Sequence, residues 1–336
     1  MTKSAGLAAV KPRGGKRRGK AAPPAKEEAA GKGKATGRRH TPRPLPDDPA
    51  AAPDFFCVGA QKGGTRWLYD QLQLHPDFWM PPVKELHYFD RRAPSAASLN
   101  LLRRAEESLG RTNRRQAKLA LRPLDRRDID FLAAYTGMTW WRTDLDAYAR
   151  LFTLKDGLIS GDITPDYSTL SERTIARIMR RFPDAKVVFI ARDPVERVWS
   201  HLAMHIRRGT LARGMAEERV MQLLGQRFVV ERSYPTRIAA RWRKHVPDAR
   251  FGLYLFDDLV ADADGLRRRV VAFLGGDPDR ESGTIPAAFN RKEEREKVAL
   301  TPALRDRIAR HFAAELRACG EVFGGAAKGW AARYEL

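Results

Sequence analysis

Apolar residues in this chain follow two rhythms. Leu158 to Tyr167 reads as a strand leading into a loop, and apolar runs of strand length occur at Phe55 to Val58, at Lys186 to Ala191 and at Arg250 to Phe256. Such runs are what a parallel sheet buried on both faces selects. Between them the apolar positions open to helical spacing: Trp67, Leu68, Leu72 and Leu74, then Glu172 to Arg181, Tyr234 to His245, and a stretch closing on Phe273-Leu274-Gly275. The ends are marked as well. Pro76 and Pro183 stop two of these helices, Gly275 ends a third, and Thr301-Pro302 is a good cap and first-turn pair for a last one. Strands alternating with helices predict a three-layer α/β domain around a central parallel sheet, with ligand at the carboxyl edge of the strands.

Two segments depart from this rhythm. Residues 1 to about 52 hold Lys, Arg, Ala, Gly and Pro with no aromatic residue and no apolar period, the composition of a disordered basic tail. Residues 91 to about 143 are Arg-rich, with helical stretches around Leu99 to Leu109 and Ile129 to Tyr135 followed by Trp140-Trp141. The aromatic pair is either a stacking surface for a sugar ring or a small apolar cap over the core.

Charge changes the picture only once it is divided. The chain of 336 residues carries a net +21; residues 1 to 50 hold thirteen Lys and Arg against four Asp and Glu, a net +9, which leaves +12 on the rest. The body is therefore basic in its own right, which suits a phosphate-rich ligand and an acidic partner, although solvated faces of an arginine-rich chain account for it too. Lys16-Arg17-Arg18 and Arg38-Arg39 could touch nucleic acid, but no folded nucleic-acid module follows them, so a solubilising extension is the expectation. Cys57 and Cys319 offer neither a disulfide framework nor metal-ligand spacing. No run approaches the roughly 18 apolar residues of a membrane span, and the start lacks the apolar segment of a secretory signal, so a cytoplasmic location is expected.

Chemistry concentrates where strands end. After Phe55 to Val58 come Gly59-Ala60-Gln61-Lys62-Gly63-Gly64-Thr65-Arg66. Gly63 and Gly64 let the backbone approach a ligand, Thr65 can begin a helix, and free N–H groups at that start with Lys62 beside them make an anion trap. A nucleotide-triphosphatase loop would place lysine directly before the hydroxyl residue, whereas Lys62 lies upstream of Gly63-Gly64-Thr65. A second anion site follows Lys186 to Ala191, where Arg192 offers a guanidinium and Ser200, eight residues on, a hydroxyl on the next helix. That strand ends in arginine where a magnesium-holding Walker B strand would end in an acid, which argues against a metal-dependent triphosphatase. Lys84-Glu85-Leu86-His87 places two acid–base side chains two residues apart, on one face if the segment is extended.

Lys62-Gly63-Gly64-Thr65-Arg66 resembles the 5′-phosphosulfate loop of sulfotransferases that use 3′-phosphoadenosine 5′-phosphosulfate (PAPS), in particular the heparan sulfate 3-O-sulfotransferase branch and bacterial carbohydrate sulfotransferases. The Lys84 to Asp90 segment and Arg192-Asp193-Pro194 through Ser200 match that family's pattern in its order. The resemblance implies a P-loop-like fold over residues 53–336, with 91–143 as an insertion. It implies transfer of a sulfuryl group from PAPS, without an obligatory metal, to an acceptor hydroxyl or amine on a glycan or small molecule. Lys62 to Arg66 would hold the 5′-phosphate, Arg192 and Ser200 the 3′-phosphate, and Arg291 and Lys292 a basic loop over the nucleotide. Glu85 would be the general base and His87 its neighbour and reserve. Where the family has Glu-Lys-Thr-Pro this chain has Asp162-Ile163-Thr164-Pro165, so a lysine at the active site is missing. A P-loop kinase or ATPase, and a nucleic-acid binder acting through the tail, are the alternatives.

Overall fold

The structure, a computed structural model, describes residues 41–107, 121–290 and 299–336. The basic tail up to residue 40, part of the expected insertion, and the Arg291 and Lys292 pair lie outside the described residues. Among the described residues four strands, β1 (Phe55–Gly59), β2 (Gly161–Ile163), β3 (Lys186–Ala191) and β4 (Phe251–Leu255), form one sheet in the order β2-β1-β3-β4. Every pairing is parallel, with Phe55 beside Gly161 on one side and Lys186 on the other, and Val187 beside Phe251.

The alternation of side chains explains why this sheet is buried on both faces. Phe56, Val58, Val187 and Phe189 enter one apolar cluster, while Phe55, Cys57, Val188 and Ile190 enter another. All eight are fully buried, and each such side chain stabilises the fold by about 1.5–3 kcal/mol. The helices that cover the two faces follow from the same periodicity. Helix α1 (Thr65–Leu74) puts Trp67, Leu68 and Leu72 on the second face, as residues 263–274 do with Leu266, Val270, Val271 and Leu274. The first face receives Ile175 and Ile178 from residues 172–181, Val195 and Val198 from residues 194–207, and Ile308 and Leu316 from the last two helices. The expected three-layer α/β architecture is therefore the observed one.

Among the described residues, the stretch around 91–143 holds the helices α2 (Ala96–Glu107) and α3 (Arg126–Gly137), the latter opened by a reciprocal capping box between Asp125 and Asp128. The tryptophan pair divides. Trp140 packs edge-on against Tyr88 and Tyr135, at 5.4 and 5.2 Å between ring centres, whereas Trp141 is 78% exposed beside Arg142. Upstream of Asp54, inside the stretch expected to be tail, the Arg43 backbone and guanidinium already bind Asp130, and Ala51 is buried.

Candidate active site

In the order β2-β1-β3-β4 the winding reverses at β1 and β3, and ligand crevices of open parallel sheets form beyond the carboxyl ends of the strands at such a point. A cleft of about 1060 Å³ opens there, lined by Lys62, Gly64, Thr65, Arg66, Glu85, Arg192 and Ser200 among others. It brings together side chains more than a hundred residues apart in sequence. Gly63 and His87 are buried and are not part of its lining.

The loop after β1 is shaped for close backbone approach. The Ala60 N–H donates to the Ile190 carbonyl and the Gly63 N–H to the Ala60 carbonyl, both at 2.8 Å. A Cβ on Gly63 would stand 2.7 Å from the first of those oxygens and 2.9 Å from the second, so only glycine fits. Gly64, at φ +94°, caps α1 with no side-chain hydrogen bond. Thr65 is thus the first helical residue and not the cap, and the orphan N–H groups of the first turn are left for an anion.

Arg192 ties the second loop to the first. Its guanidinium donates to the Lys62 carbonyl at 2.6 Å and lies 4.4 Å from the centre of the Phe256 ring. Its buried Nε has no acceptor among the described residues, and burial lowers its pKa. Helix α4 (Pro194–Arg207) begins on Asp193, which accepts from the Val195 N–H and is held in turn by Arg333 and Tyr334. That bracing fixes the first turn of the helix on which Ser200 rides.

The acid–base segment is not extended. Glu85 and His87 both take left-handed backbone conformations, at φ +69° and +57°, which non-glycine residues adopt only when their surroundings over-determine them. Those surroundings are visible. The Tyr135 hydroxyl donates to the Leu86 carbonyl, the Tyr88 N–H donates to the Tyr167 hydroxyl, and the His87 N–H donates to Thr164 Oγ1. Tyr167, Thr164 and Tyr148 all donate to the buried Asp162 carboxylate, at 2.7, 2.6 and 3.0 Å. Where the family pattern has Glu-Lys, this chain thus has a buried hydrogen-bond hub in Asp162 and a core side chain in Ile163.

The turn still brings the two side chains together, with His87 Nε2 3.4 Å from Glu85 and His87 Nδ1 2.8 Å from Asp90. Burial opposes a charged imidazole, but the hydrogen bonds to Asp90 and Glu85 outweigh it and raise His87 to about 9. Burial likewise opposes the Glu85 carboxylate, yet His87 and Lys84 hold it down to about 2. Lys84 itself donates a short hydrogen bond to Glu85, and burial lowers its pKa. At neutral pH Glu85 is a carboxylate and His87 an imidazolium. The protonated His87 fits an orienting partner for Glu85 better than a reserve base, since an imidazolium accepts no proton.

The cleft is basic. Lys62, Arg66, Lys84, Arg91, Arg192, Arg207, Arg208 and Arg232 line it, against the carboxylates Glu85, Asp166 and Glu196. Asp166 accepts from Arg232 at 2.8 Å and from Gln61 at 3.4 Å. His87, Asp90 and Asp166 converge closely enough to be considered as cation ligands, but their side chains already meet one another, Glu85, Arg232 and Gln61. The sequence reading missed Asp166, Arg232, and the pair His201 and His205, whose Nε2 atoms are 3.2 Å apart on α4. Only the i, i+4 spacing of the histidines was visible; Arg232 reaches Asp166 across 66 residues and left no local signal.

Comparisons with known proteins agree with this architecture. A family model described as Sulfotransferase family matches residues 53–279. Mouse heparan sulfate glucosamine 3-O-sulfotransferase 3B1 is 26% identical over 275 residues, covering 76% of this chain and 58% of that protein. Mouse carbohydrate sulfotransferase 15 is 27% identical over 165 residues, covering 44% of this chain and 26% of that protein. The chain thus spans little more than half the length of the first of these relatives. Among solved structures, a sulfotransferase from Alicyclobacillus acidocaldarius superposes with a TM-score of 0.55 at 23% identity, over 84% of this chain and 99% of the other. With the family model covering most of the chain and the parallel sheet and its switch-point cleft in place, the chain belongs to the sulfotransferase family.

Proposed function

We propose that the chain transfers a sulfuryl group from PAPS to a hydroxyl or amine of a carbohydrate acceptor. The observation that carries this reading is the convergence of the Lys62–Arg66 loop, Arg192, Ser200 and Glu85 in one cleft. The glycine cradle and the buried, unpartnered Arg192 Nε fit a ligand with a phosphate at each end of a ribose. Lys62 and the N–H groups of Gly63 to Arg66 hold the 5′-phosphate and offset the charge that grows on the bridging oxygen as its bond to sulfur breaks. Arg192 and Ser200 hold the 3′-phosphate. Glu85 takes the acceptor proton. A carboxylate held near 2 is a weak base, but the acceptor oxygen becomes acidic as its bond to sulfur forms, so the proton moves late and downhill. His87 and Lys84 keep Glu85 ionised and aimed, and most of the acceleration comes from positioning. The basic cleft and the carbohydrate-directed names of the relatives support a glycan acceptor, with acidic groups favoured.

The test is thermal unfolding with 3′-phosphoadenosine 5′-phosphate or ADP in EDTA, and with Mg·ATP. A ligand at 100 times its Kd stabilises the fold by about 2.7 kcal/mol. Selective stabilisation by the 3′-phosphorylated nucleotide is expected, and a screen of sulfated-product formation on glycans follows. Stabilisation by Mg·ATP alone would replace this reading with a P-loop kinase or ATPase.

A further inference from the structure

Among the described residues, buried ionisable groups are paired or hydrogen-bonded at several atoms: Asp128 and Lys84 meet opposite charges, Asp193 meets Arg333, and Asp162 accepts from three hydroxyls. Arg197 stands apart. Its side chain is 1% exposed, Nη2 donates to Ser233 Oγ at 2.6 Å, and Nε and Nη1 have no acceptor among the described residues. The Ser233 hydroxyl is neutral and itself donates to the Val229 carbonyl. The charges acting on Arg197 are those of Arg232 and Arg192, both positive; after burial itself they push its pKa down, to about 9. A buried guanidinium without a counter-charge is costly and calls for an explanation, and an anion bound from solution supplies one.

Its position says what that anion is. Arg197 lies on α4 one turn before Ser200 and four residues before His201, so it shares a helix face with two residues of the cleft lining, and Arg192 and Arg232 line the same cleft. We infer that Arg197 is a third group and second cation of the donor's 3′-phosphate subsite, acting through its field from beneath the cleft floor and compensated only when a phosphate sits between Arg192 and Ser200. The inference rests on the PAPS reading of that cleft. It makes Arg197 a positioning residue that opposes folding of the empty protein and favours the nucleotide complex, a trade that bracing of the loop alone would not show.

The experiment is calorimetric titration of the full chain and of Arg197→Met with 3′-phosphoadenosine 5′-phosphate and with AMP, which lacks the 3′-phosphate, alongside thermal midpoints without nucleotide. Removing one buried charge adjoining the site is expected to weaken the 3′-phosphorylated nucleotide about tenfold or more. AMP affinity should change little, and the midpoint of the empty protein should hold or rise. Arg197→Lys should keep part of the preference. Arg197→Gln is read the same way and stands in if the methionine variant fails to fold. An unchanged preference for the 3′-phosphate overturns the inference, all the more if the empty protein is also destabilised, because the counter-charge is then internal. A wild-type chain with no preference between the two nucleotides overturns the PAPS reading itself, and the two failures are told apart by that control.

Discussion

His87 provides the sharpest test of the electrostatics around the acid–base segment. Its rise from the ordinary 6.5 to about 9 is carried by Asp90 and Glu85 against the cost of burial. Because the folded value lies above the unfolded one, the stability it confers is fully present below about pH 6.5 and is lost as pH rises through 9, a total of about 3 kcal/mol. The side chain is only 6% exposed, so solvent screening takes little from that figure. Lys84, held below its ordinary value by burial, acts on stability in the opposite sense, so wild type alone would blur the effect. The measurement is therefore urea unfolding of wild type and His87→Gln at pH 6, 7.5, 9 and 10, read as the difference between the two. That difference should shrink by about 3 kcal/mol from pH 6 to pH 10, mostly between pH 7 and 9, and the imidazole should titrate near 9 by proton NMR. A difference that stays flat with pH, or an imidazole titrating near 6.5, would refute the reading of His87 as a charged clamp on Glu85.

Other outcomes follow from the same geometry. Lys62→Ala should abolish turnover, and Glu85→Gln should lower kcat by about 10²–10⁴-fold with donor affinity retained; full activity of the Glu85 variant in a sulfate-transfer assay would remove its assignment as base. Gly63→Ala drives a methyl group to within 3 Å of the Ile190 and Ala60 carbonyls, so nucleotide affinity should fall while the helices keep their circular dichroism; unchanged affinity by titration would show that the loop yields. Asp162→Ala strands the hydroxyls of Thr164, Tyr167 and Tyr148 and should cost about 3 kcal/mol or more in chemical unfolding. A loss under 1 kcal/mol would show that these hydroxyls find other partners.

The strands and the helix ends were legible because each is a local matter. Lys186–Ala191 has one apolar run and one geometry that buries it, and the predicted β3 is the observed one. The Gly275 stop, at φ +101°, and the Thr301 cap, accepting from the Leu304 N–H, are likewise decided within a turn of chain. The anion loop was also readable, since Gly63 and Gly64 advertise a backbone that must come close, and Thr65 begins the helix as expected, with Gly64 as its cap. The acid–base segment was readable in composition but not in shape. Two residues apart in an extended chain would share a face, yet Glu85 and His87 meet through two left-handed residues held by Thr164, Tyr167 and Tyr135.

By itself, then, the sequence determined which segments are strands and helices, where the anion-binding turns lie, and which family pattern they follow, because propensity, periodicity and turn chemistry act over a few residues. Only the tertiary structure decided that the first loop and Arg192 share one cleft, that Asp162 serves as a buried hub, that His87 is charged, and that Arg197 is buried without a counter-charge. The first is set by a contact across 130 residues of chain, and the others by how the folded backbone aims side chains at one another and by the removal of water, none of which is written in local order.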